Sequence, residues 1–559
     1  MKLALLPDNP RGEAAKAMGA YYTDAAVALF LVRWALRAPH ETAADPAFGG
    51  GVFLAAASEH LQRLGGHPGQ QIYGVEIDPA VRRRTAAVLE AHFSIPAQHL
   101  FCADFFELKP PDLRVDCMLG NPPFIRYQRF SGTAREKALR RAAEQGVELS
   151  KLAGSWAAFV VHAAAFLKPG GRLGMVVPAE LGHAAYARPV LEYLAEFFKQ
   201  VSLITFREKL FPHLSQDVLL LLAEGWQERA ESVDHVALLD LQSAADLETL
   251  QLPYASKAAL EVFSLISGRE RLPLYWIPPA ARELYRGLRD APQTFRLGQL
   301  ADVGIGYVTG NNDFFHLSPA QAEQWNIPQA FLKPAVRRGG ALRGLRFTKA
   351  DWSRAVQIGE AGFLLHIPPE AELPPGVRLY LQQGQINRVH QAYKCRVRQP
   401  WYSVPHVHRP DAFLTYMSGH TPHLVANEAG AVAPNSLHIL RLKATAPLSA
   451  KALAALWQTS LTRLSVELEG HAMGGGMLKL EPGEAARAVL ASPTDISGLE
   501  ALADELDSLL KKGRAEQAQA LADQVILLEG LGLTQQEVTS LSGASQYLRL
   551  RRQRKLAGL

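Results

Sequence analysis

The sequence predicts an α/β protein: a doubly wound sheet in the first part of the chain, then an irregular α+β domain and a run of helices. Three observations predict it. Up to about residue 225, short apolar runs alternate with helical patterns, as strands do with crossover helices. A Gly-rich loop and acidic residues follow successive runs, at the strand ends where such sheets bind ligands. From about residue 291 the texture changes to Gly, Pro, aromatics and short β-like pieces. A length of 559 residues exceeds one typical core and implies two or three domains.

The first landmark is Asp45-Pro46-Ala47-Phe48-Gly49-Gly50-Gly51-Val52-Phe53-Leu54. Its glycines let the backbone pass close under a ligand and turn tightly into a helix. A dinucleotide fingerprint would place a third glycine three residues after Gly51, but that residue is Leu54. The loop therefore suits a ligand with adenosine and an amino acid but no phosphates. The next run, Ile72–Glu76, ends in Glu76-Ile77-Asp78-Pro79. An acidic side chain there can accept both ribose hydroxyls. After a third run come Asp104 and Phe105. Asp104 can accept from an adenine amino group with Phe105 covering the ring, or it can cap a helix that leads into core aromatics.

The fourth run, residues 115–119, leads into Asn121-Pro122-Pro123-Phe124. The Asn oxygen and the carbonyl of Pro122 can each accept one N–H of an exocyclic amine. Two prolines stiffen the turn, and the aromatic ring gives a flat base a face to stack on. Paired acceptors draw the amine lone pair out of conjugation and aim it at an electrophile. Further apolar runs lie at 173–177 and 218–222. Residues 226–290 are charged and mixed and read as a connecting stretch. The last part reads as helices over 499–511, 514–528 and 534–554. The expected domains are 1–240, a linker over 241–290, 291–495, and a helical segment over 496–559.

Composition narrows the function classes. Hydrophobic residues make up 48% of the chain, which excludes wholesale disorder. Lys and Arg number 59 against 54 Asp and Glu, a net charge of +5, so a nucleic-acid surface has to come from local clusters. Such clusters are Arg126, Arg129, Arg135, Lys137, Arg140 and Arg141; Lys333, Arg337, Arg338, Arg343, Arg346 and Lys349; Arg388, Lys394, Arg396 and Arg398, leading to Trp401 and Tyr402; and Arg549, Arg551, Arg552, Arg554 and Lys555. The three cysteines are scattered, with no zinc spacing and no disulfide framework, so no metal is expected and a cytoplasmic setting fits. No signal peptide is visible, and no apolar stretch approaches the about 20 residues that span a bilayer.

In this order the motifs resemble the S-adenosylmethionine-dependent amino-methyltransferases of DNA, of the TaqI-like gamma class. Residues 19–23, with Tyr21 and Thr23, resemble the family's N-terminal cofactor motif at the methionine end. The resemblance implies Asp45 as acceptor of the methionine ammonium, Glu76 at the ribose, and Asp104 and Phe105 at the adenine, with Pro46, Gly49, Gly51, Ile77 and Asn121 also among the cofactor-binding residues. It makes Asn121, Pro122 and Phe124 the catalytic turn, with Phe124 where Tyr is commoner. Phe211-Pro212 resembles the element that supplies a second aromatic for a flipped base. Phe48 departs from the small residue usual at its position. The implied fold is the seven-stranded methyltransferase sheet. Residues 306–315, 400–402, 435–438 and 474–480 resemble the family's target-recognition domain.

The resemblance implies a site-specific adenine-N6 methyltransferase acting on double-stranded DNA as a monomer, with a separate cognate restriction endonuclease as a possible partner. The target base must leave the duplex to be reached. Direct attack of the amine needs no covalent intermediate, in keeping with the lack of a Pro-Cys nucleophile. Cytosine-N4 methylation uses the same geometry, and Asn-Pro-Pro-aromatic turns also serve RNA and protein-glutamine methyltransferases. The implied DNA contacts are Arg126, Arg129, Arg337, Arg338, Arg396, Trp401 and Tyr402.

Overall fold

The computed structural model describes residues 23–211, 217–227, 233–251 and 258–554. The chain forms two compact units that divide between Trp276 and Ile277.

In the first unit, helix α1 (Ala25–Ala35) starts at Asp24, whose carboxylate accepts from the Ala26 N–H at 2.7 Å. Strand β1 (Ala43–Asp45) feeds the Gly-rich loop and α2 (Val52–Leu64). Strand β2 (Ile72–Glu76) leads to α3 (Pro79–Phe93), capped by Asp78 with Pro79 in its first turn, a strong start signal. Then follow β3 (Leu100–Cys102), β4 (Val115–Gly120), α4 (Gly132–Ala143), α5 (Ser155–Ala164) and β5 (Leu167–Pro178). Helix α6 (Arg188–Phe197), β6 (Phe198–Phe206), β7 (Val218–Trp226), β8 (His235–Leu241) and β9 (Ala258–Glu261) complete the unit's main elements.

The sheet order is β3-β2-β1-β4-β5-β7-β6-β8-β9. Strands β3, β2, β1, β4 and β5 run parallel, and β7 lies antiparallel between β5 and β6. The central strands read as near-continuous apolar runs because helices cover both faces. Seven strands were expected, and two more extend the sheet. Strand β8 is parallel to β6 and β9 antiparallel to β8. Both come from the stretch that reads as a linker. The reason is their position at the sheet margin, where His235, Asp240 and Glu261 break the apolar run.

The second unit holds a five-stranded sheet built from Ala301–Ile305, Leu437–Leu442, Ala412–Thr415, Leu424–Asn427 and Arg346–Phe347, in that order across the sheet. A three-stranded sheet joins His316–Leu317, Ala361–Leu365 and Leu332–Val336. Near the end come helices Leu499–Lys511 and Ala515–Ala522, a π-type run Asp523–Gly530, and helix Gln535–Arg552. These lie where the three C-terminal helical patterns were read. No helix among the described residues is long and apolar enough to cross a membrane.

Candidate active site

Four polar residues sit at the carboxyl ends of four adjacent parallel strands. Asp45 ends β1 and Glu76 ends β2. Asp104 follows β3 by two residues, and Asn121 follows β4 directly. The registers align these ends: Asp45 pairs with Gly74, and Glu76 with Cys102. A Cβ on Gly120 would stand 3.0 Å from Asp45 Oδ1, so the carboxylate lies against the backbone one residue before Asn121. This is the crevice where open α/β sheets bind ligands.

The Gly-rich loop is fixed from three sides. Gly49 and Gly51 have positive φ, 49° and 83°, which suits glycine. The Gly49 N–H donates to Glu76 Oε2 at 3.0 Å, and the Thr85 hydroxyl donates to the Gly49 carbonyl at 2.9 Å. The Phe48 N–H donates to the Val75 carbonyl at 3.0 Å. Phe48, the departure at this position, fills space that Gly74 leaves open: a Cβ there would lie 2.6 Å from Phe48 Cδ1 and 2.8 Å from Leu54 Cδ1. Gly74→Ala is expected to destabilise the fold by about 1–3 kcal/mol through overpacking. In a Phe48→Leu background the cost should shrink. Paired urea denaturation curves check both, and an equal cost in both backgrounds would place the strain elsewhere.

The carboxylates are poised for a cationic, hydroxyl-rich ligand. Asp45 is 2% exposed. It accepts from the Ala47 N–H at 2.9 Å and has no ion-pair partner among the described residues. Burial, aided by the charge of Glu76, pushes its carboxyl up to about 8 despite the Ala47 bond. Burial also raises the Glu76 carboxyl, against the opposing N–H donors of Asp78 and Gly49. Each Glu76 oxygen accepts one of those bonds, Oε1 from Asp78 at 2.8 Å and Oε2 from Gly49 at 3.0 Å. A carboxylate has about four lone-pair sites, so these two bonds leave acceptor capacity for ribose hydroxyls. Ile77 follows and is 62% exposed, an apolar face free to cover a ring.

The Asn-Pro-Pro-Phe turn presents one orphaned acceptor. Asn121 Nδ2 donates to Thr23 Oγ1 at 3.2 Å. Its Oδ1 is buried with no hydrogen-bond partner among the described residues, which costs free energy unless a ligand supplies a donor. The turn is tied to α5: the Ile125 N–H donates to Ser155 Oγ at 2.9 Å, and that hydroxyl donates to the Pro123 carbonyl. Phe124 is 5% exposed and Phe211 is 9% exposed, so both rings are largely covered.

Other expected residues are placed differently. Tyr21 lies outside the described residues, as does Pro212. Asp104 caps the 3-10 turn Phe105–Glu107 by accepting from the Phe106 N–H at 3.1 Å. Its other oxygen is 3.6 Å from Lys137 Nζ. Phe105 turns into the core, stacked on Phe159 at 5.5 Å and close to His162 and Phe166. The capping alternative describes this segment, and the exposed apolar residue at these strand ends is Ile77, next to Glu76.

Several basic residues serve the fold. Arg141 is buried and donates to the Phe106 carbonyl at 2.7 Å and to Glu144 at 2.8 Å. Lys137 pairs with Glu107. Arg346 holds Glu428 and Asp504, each at 2.6 Å. Arg398 donates to the carbonyls of Thr309 and Val308, and Arg552 pairs with Glu467 at 2.7 Å. Arg126, Arg129, Arg338 and Arg396 are exposed. Arg337 is half-buried, and its charge together with burial, the larger cause, holds His316 down at about 4. Trp401 and Tyr402 are half-buried, with Trp401 packed on Phe314 at 5.7 Å. Gly306 is structural: a Cβ there would lie 2.2 Å from the Ala433 carbonyl oxygen.

Sequence reasoning missed Thr85 and Ser155, which carry no motif. A polar residue opening the apolar run 156–161 was the only trace of Ser155. It also missed that no Asp or Glu occurs between Glu372 and Asp411. That segment exposes Arg378, Arg388, Lys394 and Arg396, and Lys394 and Arg396 flank the Tyr393 ring at 5.5 Å each. Among the described residues no group of three His, Cys, Asp or Glu could hold a metal ion.

The strand order with antiparallel β7, and the polar strand ends, define an α/β methyltransferase. Residues 6–251 match the N-6 DNA Methylase family, and residues 270–527 match the Type II methyltransferase M.Eco57I, C-terminal domain. The first part of the chain is an N-6 DNA methylase domain, and the chain is a DNA methyltransferase of the restriction-modification type. It is 24% identical over 495 residues to the Type II methyltransferase M.XamI of Xanthomonas campestris pv. amaranthicola, covering 86% of each chain. It is 19% identical over 483 residues to M.AccI of Acinetobacter calcoaceticus, covering 84% of this chain and 85% of that one. Among solved structures, a cryo-EM structure of a DrdV–DNA complex matches with a TM-score of 0.50 and 11% identity, covering 89% of this chain and 58% of that chain. The type IIG restriction endonuclease BpuSI matches with a TM-score of 0.42 and 14% identity, over 98% of this chain and 66% of that one. At these identities the structural likeness concerns the fold alone.

Proposed function

We propose that this chain methylates the N6 amine of adenine at a specific sequence in double-stranded DNA, with S-adenosylmethionine as methyl donor. The observation that carries the reading is the buried Asn121 Oδ1, without a hydrogen-bond partner among the described residues, on the residue that follows Gly120, whose backbone lies against the Asp45 carboxylate. An acceptor with no donor of its own suits an amine, and a desolvated carboxylate suits an ammonium.

S-adenosylmethionine supplies an activated methyl group on a sulfonium. Asp45 holds the ammonium, the free lone pairs of Glu76 take the ribose hydroxyls, and Ile77 and Asp104 face the adenine, with Thr23 and Tyr21 at the methionine end. Asn121 Oδ1 and the Pro122 carbonyl each accept one hydrogen of the target amine. That orients the nitrogen lone pair, and the acceptors stabilise the positive charge that builds on nitrogen. Phe124 and Phe211 hold the flipped base by stacking, and flipping costs a few kcal/mol. In the second unit, the acid-free segment with Arg388, Lys394 and Arg396, together with Arg337 and Arg338, contacts phosphates, and Trp401 and Tyr402 support that surface. The protein acts as a monomer in the cytoplasm beside a separate cognate nuclease.

Single-molecule sequencing of DNA from cells that express the chain tests the reading. N6-methyladenine in one sequence context is expected. N4-methylcytosine in its place would reassign the base, and unmodified DNA would sink the reading.

A further inference from the structure

The catalytic turn cannot hold itself together. Pro122 and Pro123 carry no N–H, so two of its central residues bring only carbonyls. The missing donor and acceptor come from one side chain elsewhere. Ser155, the first residue of α5, is 1% exposed. Its hydroxyl donates to the Pro123 carbonyl and accepts from the Ile125 N–H at 2.9 Å. Its own N–H donates to the Ile125 carbonyl at 3.1 Å. Three hydrogen bonds therefore join residues 123–125 to one turn of helix.

The clamp is itself anchored. Trp156, 2% exposed, donates its indole N–H to the Tyr186 hydroxyl at 3.2 Å, and that hydroxyl donates to Glu180. Gly154 allows the close approach, since a Cβ there would lie 3.3 Å from the Ile125 carbonyl oxygen and 3.2 Å from Trp156 Cδ1.

We propose that Ser155 is a positioning residue for methyl transfer: by fixing the peptides on either side of Phe124, its hydroxyl holds Asn121 and the Pro122 carbonyl at the spacing that grips the target amine. Ser155 touches neither cofactor nor base in this arrangement. Its contribution is geometric, and a displacement of about 1 Å at a reacting group can cost about a hundredfold in rate. The inference rests on the methyltransferase reading above.

The test uses the full chain, S-adenosylmethionine and a duplex that carries the mapped target sequence. Single-turnover methyl transfer is measured with both ligands saturating, beside the dissociation constants of cofactor and duplex and the melting temperature. Ser155→Ala is expected to slow transfer at least tenfold, with both dissociation constants within twofold of the parent. A transfer rate within twofold of the parent would overturn the proposal, as would a loss that appears wholly in the dissociation constants. If Ser155→Ala does not fold, Ser155→Thr and Ser155→Val share one shape and differ by the hydroxyl. Thr should then transfer at least tenfold faster than Val, and equal rates would overturn the proposal. A parent protein that methylates no DNA removes the methyltransferase reading and this inference with it, whereas an active parent matched by Ser155→Ala removes the inference alone.

Discussion

Asn121→Ala is expected to reduce methyl transfer by at least about 10²–10³-fold, the scale seen when one preorganised polar group is lost from a reaction centre. S-adenosylmethionine binding should survive. Asn121 reaches Thr23 through its amide nitrogen, while its oxygen has no partner among the described residues. The buried orphan oxygen is a local instability of about 1–3 kcal/mol in the ligand-free protein. Removing it should leave the melting temperature unchanged or raised. The expected signature is therefore an inactive protein that is no less stable. A methyl-transfer assay with labelled cofactor, calorimetry with cofactor alone, and thermal unfolding check the three parts. Near-normal turnover would show that Asn121 does not hold the amine.

S-adenosylmethionine affinity should rise with pH between 6 and 8, and Asp45→Asn should flatten that dependence. Burial, with help from the Glu76 charge, holds the Asp45 carboxyl at about 8, so in the ligand-free protein it is mostly protonated at neutral pH. The sign follows from linkage. A raised acid binds more protons folded than unfolded. Its contribution to the stability of the ligand-free protein is full below the unfolded value of about 4 and is lost as pH rises toward about 8. An ammonium selects the ionised form, so binding at pH 7 should release on the order of one proton. Well below pH 8 the affinity should gain up to about tenfold per pH unit. Titration calorimetry in two buffers of different ionisation heat reads the proton directly. Equal heats after buffer correction, with affinity flat from pH 6 to 8, would rule out Asp45 as the ammonium acceptor.

How much of this was legible in the sequence depended on where each residue sits. The cores of β2, β4, β5 and β7 were visible because buried parallel or central strands are apolar on both faces. Strand β6 was missed: it opens Phe198-Lys199-Gln200, and its polar start broke the run. Strands β8 and β9 were missed for the related reason that margin strands keep one wet face. Asp45, Glu76 and Asn121 could be singled out because each stands at the carboxyl end of a strand, and the fold brings such ends together. Phe105 shows the limit, since period and type do not say which way a ring faces after a cap. The basic clusters show it again. Arg141, Arg346, Arg398 and Arg552 stand in runs that read as surface, yet each is engaged with protein partners. A run of charge in sequence does not say which members share a face. Ser155 acts through two backbone groups about 30 residues away, a relation that no local pattern encodes.

Phe48 and Gly74 together behave as one residue's worth of volume shared between two distant positions. Drift at either is constrained by the other: a side chain gained at 74 is tolerable only after bulk is lost at 48. Among divergent relatives the pair should therefore change together, and the order of the two steps is set, with the loss at 48 coming first. Such a dependency makes the loop's shape heritable even where its letters are not, because selection acts on the sum of two side chains and not on either alone.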